Sequence, residues 1–422
     1  MSTETNTDDS VTPLVQPTTG DVLRLMVTRF RRGDSGMIPI VLGLIILGGY
    51  FEFRSSQFLT VGNLTNLMVQ ATIFVLLGIA EVWLLLLGEI DLSAGFNAGI
   101  AGAIATILVD TQFHWPWVYA VVLALVASTG FGALWGFLVI GLRLPSFIVT
   151  LAGQLGLQGT LLWIVDSQGT GGSISIHQPD LYNIVYGDFT PLFTILLIAA
   201  SVLFLSFSLI RRNASRASRN LESVPLPLML LRIVGLVVAG GLMIWIFNSN
   251  RGSSSAAFSS VIRGMPFAVL LVGAVLGGCT FIMNKTKPGR YVYAIGGNAE
   301  AARRAGIAVN RYRLMAFMMT GLISGIAGLV YVSDQNGISD SISGGTLVLY
   351  AVAAAVIGGT SLFGGRGKMV HALIGGVVIA TIYNGMALIN LGAPQQYIAT
   401  ALVLLGAVTI DSLARRGSTI VK

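Results

Sequence analysis

Polar and ionisable side chains are scarce in this sequence, and those inside apolar runs limit the chemistry it can do. Glu81 sits in LLGIAEVWLLLL with no basic neighbour. A carboxyl there is expensive in an apolar medium, so it faces water, turns into a bundle, or carries a proton. Glu89 and Asp91 fall in GEIDLSAG, between two apolar runs. Two roles are open to them: an exposed turn with Asp91 capping the next helix, or a gate. Asn97, Gln154, Gln158 and Asn384 donate and accept at once. Such groups suit the hydroxyls of a sugar, and equally the hydrogen bonds that join helices in lipid. Glu81, Glu89, Asp91, Asn97, Gln154, Gln158 and Asn384 are the candidates for a gate or substrate path.

Bond-making chemistry has no such candidates. His114, His177 and His371 are scattered, without the HExxH spacing of a zinc hydrolase, and no Walker sequence is present. No paired carboxylates stand where an intramembrane hydrolase or prenyl transferase needs them. A single cysteine, Cys279, excludes an internal disulfide and any cysteine-based metal cluster. The expectation is a protein that is not an enzyme and holds no metal or cofactor of its own.

A binding function is suggested instead by residues 285–311, within KTKPGRYVYAIGGNAEAARRAGIAVNRYR. Asn298 can cap a helix, Glu300 lies in its first turn, and Arg303 and Arg304 lie in its last, matching the helix dipole at both ends. Gly306 stands where a left-handed residue ends a helix. The spacing predicts a helix over Ala299–Ala305, well below the ~12–15 residues at which a helix is marginal alone in water. It needs a surface, and Ala301, Ala302, Ala305 and Ile307 give it a small apolar side. Packing on its own chain and docking into another protein are both open at this point.

The elements that must position these residues are membrane spans. Hydrophobic residues make up 54% of the chain and charged residues 10%, against about 25% charged in soluble domains. Runs long enough to cross a ~30 Å hydrocarbon core fall at 37–53, 63–88, 92–109, 116–140, 145–166, 190–210, 228–248, 262–284, 312–333, 346–360, 370–391 and 395–413. The predicted fold is an all-α polytopic membrane protein of about twelve helices. One transmembrane domain is expected over 37–413, with a polar tail and basic segment at 1–36 and a short tail at 414–422. The tenth run is short enough to be a re-entrant hairpin. With every run crossing and both termini cytoplasmic, 22 of the 25 Lys and Arg lie inside, and only Arg54, Arg251 and Arg263 outside, as the positive-inside rule requires. That distribution accounts for the net charge of +7 without nucleic acid. Gly88–Gly95 and Gly337–Gly345 interrupt the runs with similar polar patterns on opposite sides. The pair fits an inverted repeat, spans 2–5 mirrored by 9–12, or a coincidence of two Gly/Ser-rich stretches.

Several runs together carry a family resemblance: GEIDLSAG (88–95), PSFIVTLAG (145–153), GRYVYAIGGNAEAARRAGIAV (289–309), AVIGGTSLFGGRGK (355–368) and NGM (384–386). The chain resembles, over nearly everything after residue 60, the permease subunit of monosaccharide ABC importers of the ribose, galactose and xylose branch. The additional pair of runs around 190–248, joined by RRNASRASRN, is similar to the xylose type. The resemblance implies that Asn298–Val309, including Asn298, Glu300, Ala301, Ala302, Arg303, Arg304, Gly306 and Ile307, forms the helix that couples to a cytoplasmic ATPase. It also implies a second permease copy, a tandem-domain ATPase carrying the ATP and magnesium, an extracytoplasmic sugar-binding protein and a pentose such as xylose as substrate. Members of that family often have Glu-Leu-Asp where this chain has Val348-Leu349-Tyr350. Two alternatives stand beside this reading: a branched-chain amino-acid ABC permease, and an ion-coupled secondary transporter with Glu81 as the protonatable group.

Overall fold

In the computed structural model the described residues are 38–402, apart from 111–112, 169–170, 220, 222–223, 253, 256–257, 260, 340–343 and 393, together with 20, 405, 406 and 409. The expected terminal tails, apart from residue 20, and part of the twelfth run, 403–404, 407–408 and 410–413, lie outside them. The other eleven runs are all helical, as the apolar stretches dictate: α1 (Ile38–Arg54), α2 (Val61–Leu85), α3 (Ala94–Asp110), α4 (Trp117–Gly141), α5 (Ser146–Ser167), α7 (Pro191–Ala217), α8 (Leu226–Asn248), α9 (Phe267–Lys285), α12 (Val309–Asp334), α13 (Gly344–Ile357) and α14 (Met369–Leu388). Residues 394–402 begin a further helix. Three short helices lie between spans: α6 (Pro179–Tyr186), α10 (Lys287–Gly297) and α11 (Ala299–Arg304). Among the described residues, eight helices are long and apolar enough to cross a membrane.

Two helices form the centre. On α2 every residue from Leu76 to Leu86 is buried, with Trp83 fully so. α12 packs against α2, α3 and α4, while α2 packs against α12, α13 and α14. Exchanging α2–α3–α4 with α12–α13–α14 reproduces this pattern, including the α3–α4 and α13–α14 pairs. Such a pattern is what an inverted repeat around a central α2–α12 pair produces. Small residues make the contacts close. Gly132 and Gly136 of α4 meet Phe317 on α12, Gly321 meets Ser128, and Gly375 of α14 meets the Ala354 backbone. Lipid offers no hydrophobic drive between helices, so backbone proximity supplies it through dispersion and hydrogen bonding. The α7–α8 hairpin lies at the periphery, with only 11% of each helix's apolar window buried.

The breaks expected at Gly88 and Gly337 are present, and they do more than join spans. α3 runs parallel to α12, with Ala98 against Gly328 and Gly102 against Val332. It therefore begins beside the middle of α12, and residues 88–93 climb without helical structure from the basic end of the bundle to reach it. α13 is short, but the segment after it reaches the basic end: the Gly365 amide donates to Leu86 O at 2.9 Å. The tenth run, at 14 helical residues, is a shorter apolar helix than the eight of span length. Besides the helices there are small ribbons. β1 (Ser173–Ser175) pairs antiparallel with β4 (Gly337–Ser339), and β2 (Ser254–Ser255) pairs with β3 (Phe258–Ser259). The first buries Ile174 and Ile338 and turns its serines outward, the period-two alternation of a strand. A helix-oriented reading of the loops passes over so short a signal.

Candidate functional site

The described chemistry concentrates at the two ends of the bundle. At the basic end, α11 forms as its caps require. Asn298 Oδ1 accepts from the Ala301 amide at 2.9 Å. The Ile307 amide donates to Ala302 O and the Gly306 amide to Arg303 O, both at 3.0 Å. With Gly306 at φ +81°, this pair of bonds is a Schellman motif, and a glycine makes it without Cβ strain. The helix ends at Arg304, one residue earlier than the spacing suggests, because Ala305 has already become the cap. The expected apolar side divides in two. Ala302 turns inward, buried with Ile295 and Val309 against Leu87, Ile307 and Tyr312, while Ala301 and Ala305 remain exposed. Glu300 bridges Arg303 and Arg304 at 3.2 Å each, in full contact with solvent. One face of α11 is anchored, and the other is a free, small-residue surface ending in two cations.

The anchorage extends inward. Glu89 pairs with Arg313 in the first turns of α12. Tyr293 of α10 donates its hydroxyl to Gly367 O at 2.8 Å, and burial pushes its phenol above the usual range. Gly296 lies against the Leu86 and Gly365 backbones. Arg143, Arg303, Asn310 and Arg313 line an adjoining cleft of about 510 Å³. α11 joins this region through Ala302, which is buried in one cluster with Leu87 and Tyr312.

That segment separates Glu89 from Asp91. Glu89 stays at the rim, whereas the Asp91 side chain is fully buried, so the exposed-turn role does not hold for it. Its Oδ1 accepts from the Ser93 amide at 2.8 Å and from the Ser93 hydroxyl, and its Oδ2 has no partner in the described structure. Glu81 is also fully buried, with neither oxygen hydrogen-bonded, and Asp91 is its electrostatic neighbour. The remaining candidates are dispersed. Asn97 donates to Ser128 O at 3.2 Å and joins α3 to α4. Gln154 is half-buried next to Gly345, and Gln158 is exposed on α5. Asn384 exchanges amide hydrogen bonds with Asn63 and donates to Gln70 Oε1 at 3.2 Å.

Through Gln70, Asn384 borders a feature that the sequence did not single out. At the end opposite the basic face, α2, α12, α13, α14 and the 394–402 helix line a partly open cavity of about 230 Å³. α2 contributes Gln70, Ile73 and Phe74, and the end of α12 contributes Tyr331, Asp334 and Gln335. The start of α13 adds Thr346, Leu347 and Tyr350, and Tyr383, Gln396 and Tyr397 complete the wall. Scattered tyrosines in apolar runs read as interfacial anchors, and nothing in their spacing reveals that four converge.

The family described as "Branched-chain amino acid transport system / permease component" matches residues 63–413. The chain belongs to this family. Among its relatives, the xylose transport system permease protein XylH of Escherichia coli K12 is 33% identical over 387 residues, 90% of this chain and 92% of that protein. XylH of Haemophilus influenzae is 31% identical over 382 residues, 89% of this chain and 95% of its own. The ribose import permease protein RbsC of Escherichia coli K12 is 26% identical over 372 residues, 88% and 92% of the two chains. No solved structure matches at a significant level. The permease is a multi-pass membrane protein and not an enzyme. Membership gives the exposed face of α11 a context: a transport subunit carrying a capped rod at its basic end.

Proposed function

We propose that the permease is the membrane subunit of an ATP-driven importer for a monosaccharide, a pentose of the xylose kind. The relatives whose names specify a sugar support the substrate class. The single structural observation that carries the mechanism is α11: too short to persist alone, capped at both ends, anchored by Ala302, and free on its other side. Its basic end faces the cytoplasm, where the free face docks on an ATPase with two fused nucleotide-binding modules. ATP and magnesium reside on that partner. A second permease copy and an extracytoplasmic sugar-binding protein complete the assembly. Closure of the ATPase moves α11, and the contacts of α10 and Arg313 transmit the motion to segment 88–93 and α12, switching the cavity from one side to the other.

The test is Arg303→Glu combined with Arg304→Glu in the assembled complex in proteoliposomes. Insertion and folding should persist, because both side chains are exposed, while sugar uptake is lost relative to ATP hydrolysis. Uptake at the full rate refutes the docking role. The family's description favours a second reading, a branched-chain amino-acid permease. Competition of uptake by D-xylose and by L-leucine separates the two.

A further inference from the structure

We infer that the cavity walled by α2, α12, α13 and α14 is where a neutral monosaccharide is received within the membrane. The inference rests on the importer reading and names the residues that meet the sugar. Its volume, about 230 Å³, is below the ~300–1,000 Å³ of sites for drug-sized ligands and is of the size of one sugar ring. It lies between the last turn of α12 and the first turns of α13, at the end opposite the basic face. A ligand delivered from outside therefore meets it first.

Two polar groups in the wall are fixed in orientation. Gln70 Oε1 is occupied by Asn384, which leaves the Gln70 amide nitrogen to donate. Asp334 Oδ2 accepts from Gln335 Nε2 at 2.7 Å, which leaves Oδ1 to accept. One held donor and one held acceptor match adjacent hydroxyls on a ring, since each hydroxyl can do both. The tyrosines supply flat faces for the ring's C–H side and hydroxyl groups at their edges. Phe74 stands edge-on to Tyr350 and Tyr383, at 5.5 and 5.8 Å between ring centres, and steadies that wall.

Charge decides between ligand classes. Among the described residues the lining contains a carboxylate and no Lys, Arg or His. An amino acid entering here would set its ammonium beside Asp334 and leave its carboxylate with no cation in the described lining, an uncompensated charge in a low-dielectric wall. A neutral polyol brings only hydroxyls. The weak, two-point polar contact also permits release, which a transport site needs.

The experiment measures uptake of labelled D-xylose, D-ribose and L-leucine by the complete importer in proteoliposomes. Tyr383→Ala and Asp334→Asn should each lower the initial rate of sugar uptake ~10-fold, the size of one charge-assisted hydrogen bond or aromatic contact. Tyr383→Phe, which keeps the ring, should retain uptake within ~3-fold of wild type. If Tyr383→Ala and Asp334→Asn both import sugar at the wild-type rate, the cavity assignment is overturned while the importer reading stands. If wild type imports leucine and neither sugar, the importer reading fails and takes the cavity with it. Co-elution of the ATPase is the folding control. Should a variant not assemble, hydrogen exchange on the wild-type complex with D-xylose decides. Protection of residues 331–335 and 344–350 supports the site, and unchanged exchange overturns it.

Discussion

Removing both caps of α11 tests whether a six-residue helix is held by its ends. Asn298→Ala deletes the acceptor for the Ala301 amide, a loss of about 1 kcal/mol. Gly306→Ala places a Cβ on a residue at φ +81°, which costs ~1–2 kcal/mol. The two sites share one short helix and no side-chain contact, so the effects should add to ~2–3 kcal/mol. At 1.4 kcal/mol per decade, local opening becomes ~30–150 times more frequent. Ala302 burial and the Glu300 bridges remain, but solvent-exposed pairs of this kind contribute only ~0.2–0.5 kcal/mol each. The assay is hydrogen exchange by mass spectrometry on the permease in detergent, following peptides that span 298–309. Exchange at the Ala302, Gly306 and Ile307 amides should accelerate by that factor while the α12 amides stay protected. Sugar uptake per ATP hydrolysed should fall in the same variant. Exchange within threefold of wild type would refute the reasoning, because it would mean that the protein surface beneath, and not the caps, keeps the helix formed.

The Glu89–Arg313 pair leaves its side chains only 13% and 27% exposed. Glu89→Gln should therefore destabilise the protein by ~1.5–3 kcal/mol and lower its thermal midpoint, and exchanging the charges with Glu89→Arg plus Arg313→Glu should recover part of the loss. A full double-mutant cycle in detergent reads the coupling, and independent effects of the two mutations would argue against the tie between segment 88–93 and α12. Gly321→Val puts a Cβ 2.5 Å from Ser128 O, so it should destabilise the bundle by ~1–3 kcal/mol and broaden the elution profile. Gly130→Ala, with nothing within 4 Å of its Cβ, should leave both unchanged. Equal behaviour of the two variants would remove the close α4–α12 contact.

The positions of the spans, the start of α11 and the family were legible in order along the chain, because each is a local property. Apolar length sets a span, a side-chain oxygen three residues ahead of an amide sets a cap, and a motif is contiguous. The sequence also showed where the helices break, at Gly88 and Gly337. How far inward those breaks reach was decided by packing. α3 starts beside the middle of α12 because Ala98 sits on Gly328, and that register is invisible until two helices are placed together. The same holds for Asp91, which local sequence allowed as an exposed cap and tertiary structure buried completely. Asn97 and Asn384 were legible as polar groups in lipid but not as partners of Ser128 and of Asn63 with Gln70. Tyr331, Tyr350, Tyr383 and Tyr397 converge only because α12, α13, α14 and the following helix surround one space. Local rules fix what each residue is able to do, whereas a cavity is a relation among residues up to 327 positions apart, Gln70 to Tyr397, and only the assembled helices bring them within reach.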